Sequence, residues 1–183
     1  MSTGSDIRYT VDDLWDFPDD GKRRELIDGV LYVTPMARSR HQRVVGWLTY
    51  RLAAWVEEHG GDVFPGVNVD LDERTHLEPD VAFVRPGRDV GDVLSLHEPP
   101  DLVVEVSSPS TKSYDVGVKR DRYADAGAPE FWFVDLDRDT VLVSRQTDAG
   151  YADPVTYARG DVIRTEVAPG LVIDVDDILA QRG

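Results

Sequence analysis

Three carboxylates stand where apolar side chains are expected. Glu105 interrupts LVVEV, residues 102–106, a run of β-forming residues whose pattern suits a strand covered on both faces. Asp80 follows Pro79 and opens the apolar run VAFV, and Glu25 leads ELIDGVLYV. A carboxylate in such surroundings costs several kcal/mol, roughly, unless its charge is compensated. Carboxylates that converge in a medium of low dielectric also repel, and each is driven towards protonation. A hard divalent cation removes both difficulties. Mg²⁺ takes oxygen ligands, needs only one or two carboxylates and keeps several waters. Asp80 and Glu105 form a sufficient ligand set, with the backbone carbonyl of Val106 available as a further oxygen. An ion held there lowers the pKa of a water and offsets charge on a phosphate. Taken singly, each acid also has an ordinary reading: an arginine partner for Glu105, a turn after proline for Asp80, a salt bridge on a sheet edge for Glu25.

A lysine stands near these acids in the chain order. Only three of the 20 basic residues are lysines, so arginine carries the ordinary surface charge. Lys119 falls in a helix expected after the Glu105 strand, on one face with Asp115, Tyr123 and Ala126 by their spacing. A strand-loop-helix unit packs the helix back on its sheet, which brings Lys119 towards Glu105. There a lysine orients a nucleophilic water or stabilises developing negative charge. The other reading is a simple i,i+4 pair with Asp115.

The elements that must position these groups are legible from patterning. Thr10 before VDDLWDF reads as a capped short helix. Asp28-Gly29 between two apolar runs reads as a hairpin turn. Apolar residues at 44, 45, 48, 52, 55 and 56 predict an amphipathic helix over 40–59, closed by Gly60-Gly61. VNVDL and PDVAFV read as a strand pair with DERTHLE turning between them, and residues 85–100 as a polar loop with one short helical turn. The strand at 102–107 follows, then a helix over 114–126 ended by Gly127, a hairpin of FWFVD with TVLVSR, and a last short helix near DDILAQ. The expected fold class is α/β, a central mixed β-sheet flanked by helices, in a single domain over 1–183.

Composition excludes several classes. No apolar run approaches the roughly 20 residues of a membrane span, and the start MSTGSDIRYT lacks the basic end and apolar stretch of a signal peptide. The absence of cysteine excludes disulfides and thiolate metal sites and fits a cytoplasmic location. There is no GxGxxG, GxxxxGK, GxSxG or HExxH, and the four histidines have no ligand spacing. DLDRDT at 135–140 begins like a calcium loop but lacks its glycine and its final glutamate, so it reads as a hairpin turn. The net charge of −15 opposes coating of nucleic acid by bulk electrostatics. Nine of the 20 basic residues nevertheless gather in KRR at 22–24, RSRHQR at 38–43 and KRDR at 119–122.

RELIDG at 24–29, TP at 34–35, His41, PDVAFV at 79–84, EVSSPST at 105–111, Asp115, Lys119, Tyr123, Gly127 and EFWFVD at 130–135 form an ordered set over nearly the whole chain. It resembles the Uma-type restriction endonucleases, a bacterial branch of the PD-(D/E)xK nuclease superfamily. The resemblance implies a restriction-endonuclease-like fold with its metal site at one edge of the sheet. It also implies hydrolysis of DNA phosphodiester bonds with Mg²⁺ or Mn²⁺, Asp80 and Glu105 holding the ion, Lys119 assisting the attacking water and Glu25 in support. A homodimer is the family's habit, and RNA stands beside DNA as a substrate. Two positions depart from the pattern. The superfamily usually carries its lysine two residues after the strand acid, where this chain has Ser107, and the family often has tyrosine where this chain has Arg24. The basic clusters acquire a reading as phosphate contacts, through His41, Arg38, Arg40 and Arg120. The rival reading is a nucleic-acid or protein binding module that keeps the nuclease fold without turnover.

Overall fold

The computed structural model describes residues 7–34, 37–107 and 115–180. Its first element, helix α1 (Val11–Leu14), is a single turn, fixed by the N–H and hydroxyl of Thr10, which both donate to Asp13 Oδ2 at 2.7 and 2.9 Å. Strands β1 (Arg23–Ile27) and β2 (Val30–Thr34) form the expected antiparallel hairpin. Asp28 and Gly29, at φ 51° and 76°, supply the two left-handed residues that a two-residue turn needs to match the twist of its strands.

Helix α2 (Ser39–His59) buries one stripe, His41, Val44, Val45, Leu48, Leu52 and Trp55, at the spacing of an amphipathic helix against a core. Gly60 ends it by donating its N–H to the Val56 carbonyl at 2.7 Å. Gly61, at φ 94°, turns the chain into strand β3 (Asp62–Phe64), so close to the next strand that a Cβ there would lie 2.5 Å from the Val84 carbonyl oxygen.

The next segment corrects the strand pairing. β4 (Asn68–Asp72) pairs with β5 (Thr75–Leu77), three fully buried residues that pattern alone assigned to a turn. β6 (Val81–Val84) pairs instead with β3 and with β8 (Leu102–Val106). Pro79 has no N–H to give to a ladder, and the chain passes there from one sheet to another. Residues 85–100 contain no helical turn. They hold a short strand, Ser95–Leu96 (β7), parallel to β4, with Leu96 buried beside Val69.

After β8 the described chain resumes in a wide π-type turn over Asp115–Lys119 that runs into helix α3 (Arg120–Asp125). This helical crossover is what a parallel neighbour requires, and β9 (Glu130–Asp135) lies parallel to β8. β10 (Thr140–Thr147) returns antiparallel to β9. Strands β11 (Gly150–Tyr151), β12 (Val155–Ala158), β13 (Val162–Arg164) and β14 (Val172–Asp174) and helix α4 (Val175–Leu179) complete the described chain.

The strands of the described residues form three sheets rather than one. The central mixed sheet has the order β11-β10-β9-β8-β6-β3, with β12 also on β10; the second runs β2-β1-β5-β4-β7; β13 and β14 form the third. Leu102, Val104 and Val106 pack with the α2 stripe on one face of the central sheet. Val103 packs on the other with Ile27, Leu77, Tyr123, Phe131 and Phe133. Strand alternation puts Glu105 on the Val103 face, the one covered by β1, β5 and α3. Among the described residues no helix is long and apolar enough to cross a membrane.

Two glycines test this framework in opposite directions. Gly61→Ala should lower stability by roughly 1–3 kcal/mol from backbone strain alone, with the clash against Val84 added. Gly46, on the exposed side of α2, has open space around a Cβ, so Gly46→Ala should raise stability by roughly 0.5–1 kcal/mol. Urea midpoints at constant slope measure both.

Candidate active site

Five elements, β8 with Glu105 among them, bring their polar side chains to one end of the central sheet. β1 presents Arg23, Glu25 and Ile27 on a single face by strand alternation, and Ile27 touches the core around Val103. β6 is preceded by Asp80, which the antiparallel register of Val81 with Val104 carries opposite Glu105. The π-type turn ends on Lys119. The first turn of α2 adds His41. Glu25, Asp80, Glu105, Lys119 and His41 are all buried, between 1 and 7% exposed.

Lys119 Nζ lies 2.7 Å from Glu25 Oε1 and 3.1 Å from Glu105 Oε1. It thereby joins the second sheet, the central sheet and the crossover helix through one ammonium. Glu25 Oε1 also accepts the N–H of Glu78 at 2.8 Å. Asp80 is held on both oxygens: Oδ2 accepts the Val106 N–H at 2.8 Å and faces His41 Nε2 at 3.0 Å, and Oδ1 accepts from Arg23 Nη1 at 3.0 Å. Arg23 also stands 3.1 Å from Glu78 and 3.8 Å from Glu25.

The titration behaviour follows from these partners. Burial pushes the Asp80 carboxyl up, but His41, Arg23 and the Val106 N–H outweigh it and hold it at about 2. Burial likewise opposes the charge of Arg23, and the carboxylates of Glu25, Asp80, Glu105 and Glu78 overcome it and raise its pKa. Glu78, with less help, is raised by burial and by Glu25. The Tyr123 hydroxyl is fully buried, has no hydrogen-bond partner among the described residues, and is pushed well above its ordinary value by burial and then by Glu105.

The repulsion anticipated between converging acids is therefore answered first by side-chain cations. Even so, Glu25, Glu78, Asp80 and Glu105 outnumber Arg23 and Lys119. Glu25 Oε2 is buried with no hydrogen-bond partner among the described residues. Among those residues no group of three or more His, Cys, Asp or Glu side chains forms a ready cage for a metal ion. A hard cation that keeps its waters needs no such cage. The donors here, carboxylate oxygens with negative charge in excess and one oxygen unsatisfied, fit that kind of ion.

Of the remaining sequence candidates, Val106 is at the site and the arginines fall elsewhere. The main chain of Val106 lies at the site, where its N–H serves Asp80. Arg38 is the exposed N-cap residue of α2. Arg40 donates to the Leu136 carbonyl at 2.6 Å and to Asp139 at 2.8 Å, at the β9–β10 turn. Arg120 donates to Ser144 and to the Ala152 carbonyl, both at 3.0 Å, and lies over the Tyr151 ring. Arg40 thus ties α2 to the β9–β10 turn, and Arg120 ties α3 to β10 and the residue after β11. Ser107, at the position where a lysine is usual, accepts the Leu136 N–H at 2.8 Å and joins the ends of β8 and β9. Arg23 and Glu78 were missed. The available signal for Arg23 was its place two residues before Glu25, hence on the same strand face.

A family model described as Uma2, "Putative restriction endonuclease", matches residues 11–176. The chain belongs to the Uma2 family. The Uma2 fold assignment agrees with a crystal structure described as a putative nuclease belonging to DUF820 from Anabaena variabilis. That structure is 18% identical with a TM-score of 0.81, over 94% of this chain and 98% of that one. No curated protein matches the chain. This Uma2 chain thus has a nuclease-type fold, with the Glu25–Lys119–Glu105 and Arg23–Asp80–His41 contacts at one end of its central sheet.

Two measurements probe the cluster. Lys119→Met leaves Glu25 and Glu105 buried without their shared ammonium and should cost roughly 3–5 kcal/mol at neutral pH. Denaturant titrations measure that loss. Asp80 supplies a pH-dependent test. Its folded pKa of about 2 lies below the unfolded value of about 3.9, so its contribution is present above pH 4 and disappears as the pH falls through 2. The stability gap between wild type and Asp80→Asn should be widest at neutral pH and shrink over that window.

Proposed function

We propose that this chain is a metal-dependent endonuclease that hydrolyses DNA phosphodiester bonds. What supports the reading is the convergence of Glu25, Asp80, Glu105 and Lys119, from separate elements, in one buried cluster with an excess of negative charge. Asp80 and Glu105, with the main chain of Val106, would hold Mg²⁺ or Mn²⁺. The ion, when bound, supplies an activated water and charge neutralisation at the phosphate.

The chain's own residues prepare the rest. Lys119 Nζ, within ion-pair distance of two carboxylates, would present a donor to the attacking water. Glu25 fixes that ammonium from the second sheet, and His41 fixes the outer side of Asp80. Exposed Arg38 and Arg43 flank His41 on the first turn of α2, where they would contact the phosphate backbone. With a net charge of −15, that contact is weak and strongly dependent on salt. Cleavage of both strands takes two sites, which a homodimer provides; RNA is the competing substrate. The acidic charge favours the second reading, a nucleic-acid or protein binding module on a nuclease fold without turnover.

Incubation with plasmid, single-stranded DNA and RNA, with Mg²⁺ or Mn²⁺ and then with chelator, decides between them. Wild type should cut DNA only with the metal. Asp80→Asn and Glu105→Gln should each slow cutting by roughly 10²–10³-fold or more while circular dichroism shows the fold retained. Salt-sensitive binding without cutting would establish the module. Equal cutting by wild type and both variants would identify a contaminant.

A further inference from the structure

Arg23 is bound differently from the other cation of the cluster. Lys119 is sealed in, 2% exposed, whereas the Arg23 side chain is 29% exposed. Its guanidinium spreads one charge over three acids, at 3.0 Å from Asp80, 3.1 Å from Glu78 and 3.8 Å from Glu25. Only the contact to Asp80 is a hydrogen bond; Nε and Nη2 are buried with no hydrogen-bond partner among the described residues. A guanidinium built in as a permanent strut commonly grips one carboxylate with two parallel bonds. This one does not. The oxygen it holds, Asp80 Oδ1, is also the one left over after His41 and the Val106 N–H have taken Oδ2. Oδ1 is therefore the Asp80 oxygen open to exchange.

On the reading that Asp80 and Glu105 receive a divalent cation, we propose that Arg23 is an exchangeable counter-ion. It holds Asp80 Oδ1 in the metal-free protein and yields that oxygen to the ion. A guanidinium and a divalent cation on one oxygen repel each other, and Arg23 has the exposed side to retreat to. The exchange keeps the carboxylates charged and in place before the ion arrives, and sets the metal affinity below what the bare acids would reach. No proton or electron changes hands; one ion pair replaces another.

The test uses the full chain and Mn²⁺ alone, with free Mn²⁺ followed by electron paramagnetic resonance. Arg23→Met should bind Mn²⁺ at least about tenfold more tightly than wild type, because a repelling unit charge has gone. Its melting temperature should fall in EDTA and recover on adding Mn²⁺. Arg23→Gln takes its place, with the same expectation, should the methionine variant not fold in EDTA. A crystal structure of the wild type with Mn²⁺ should show Nη1 beyond hydrogen-bond distance of Asp80 Oδ1. Equal or weaker Mn²⁺ binding by the variant, or an Arg23–Asp80 bond that persists beside the ion, overturns the exchange and leaves the metal reading standing. Absence of Mn²⁺ binding in both proteins overturns the metal reading and the exchange together.

Discussion

A single buried ammonium holds the two larger sheets and the crossover helix in register. Lys119 is buried and lies within ion-pair distance of one glutamate from each sheet. Charges taken out of water persist only when paired, so Lys119 cannot be neutralised without leaving two buried carboxylates short of their shared cation. Glu105 is tolerable in a fully buried strand because Lys119 reaches it, and Glu25 is tolerable on β1 for the same reason. The candidate chemistry and the docking of the sheets thus depend on the same contact.

Much of this was readable in the chain before the structure. Glu25, Asp80 and Glu105 stood out as acids among apolar residues, Lys119 as a rare lysine in the right helix, and the ordered motifs set the fold class. Asp28-Gly29 and the apolar stripe of α2 gave the hairpin and the long helix because those signals are local. β5 and β7 were not legible, since three- and two-residue strands are too short to show a period. The division into separate sheets was hidden for the same reason: pairing depends on contacts distant in sequence, and Pro79 marks the crossing without naming the destination. Arg23 and Glu78 escaped because charged residues at strand ends look like ordinary surface until the opposing strand is in place.

The basic clusters divide once the contacts are known. Arg40 and Arg120 spend their donors on backbone carbonyls, an aspartate and a serine hydroxyl, which accounts for them as ties from the helices to the central sheet and its turns. Arg23 is drawn inward to the acids. Arg38 and Arg43 stay at the surface beside His41. In a chain this acidic, the inward cations keep a concentrated patch of carboxylates folded.

The passage of the chain at Pro79 from the second sheet into the central one has a mechanical result. Glu25 travels with β1 and β5, whereas Asp80 and Glu105 travel with β6 and β8. Any shear between those layers separates the acids by the same displacement, before either layer loses its own ladder of backbone bonds. The geometry at the sheet's end is therefore as rigid as the seam formed by Ile27, Leu77, Val103 and Phe131, and an apolar truncation in that seam would loosen the cluster from several residues away.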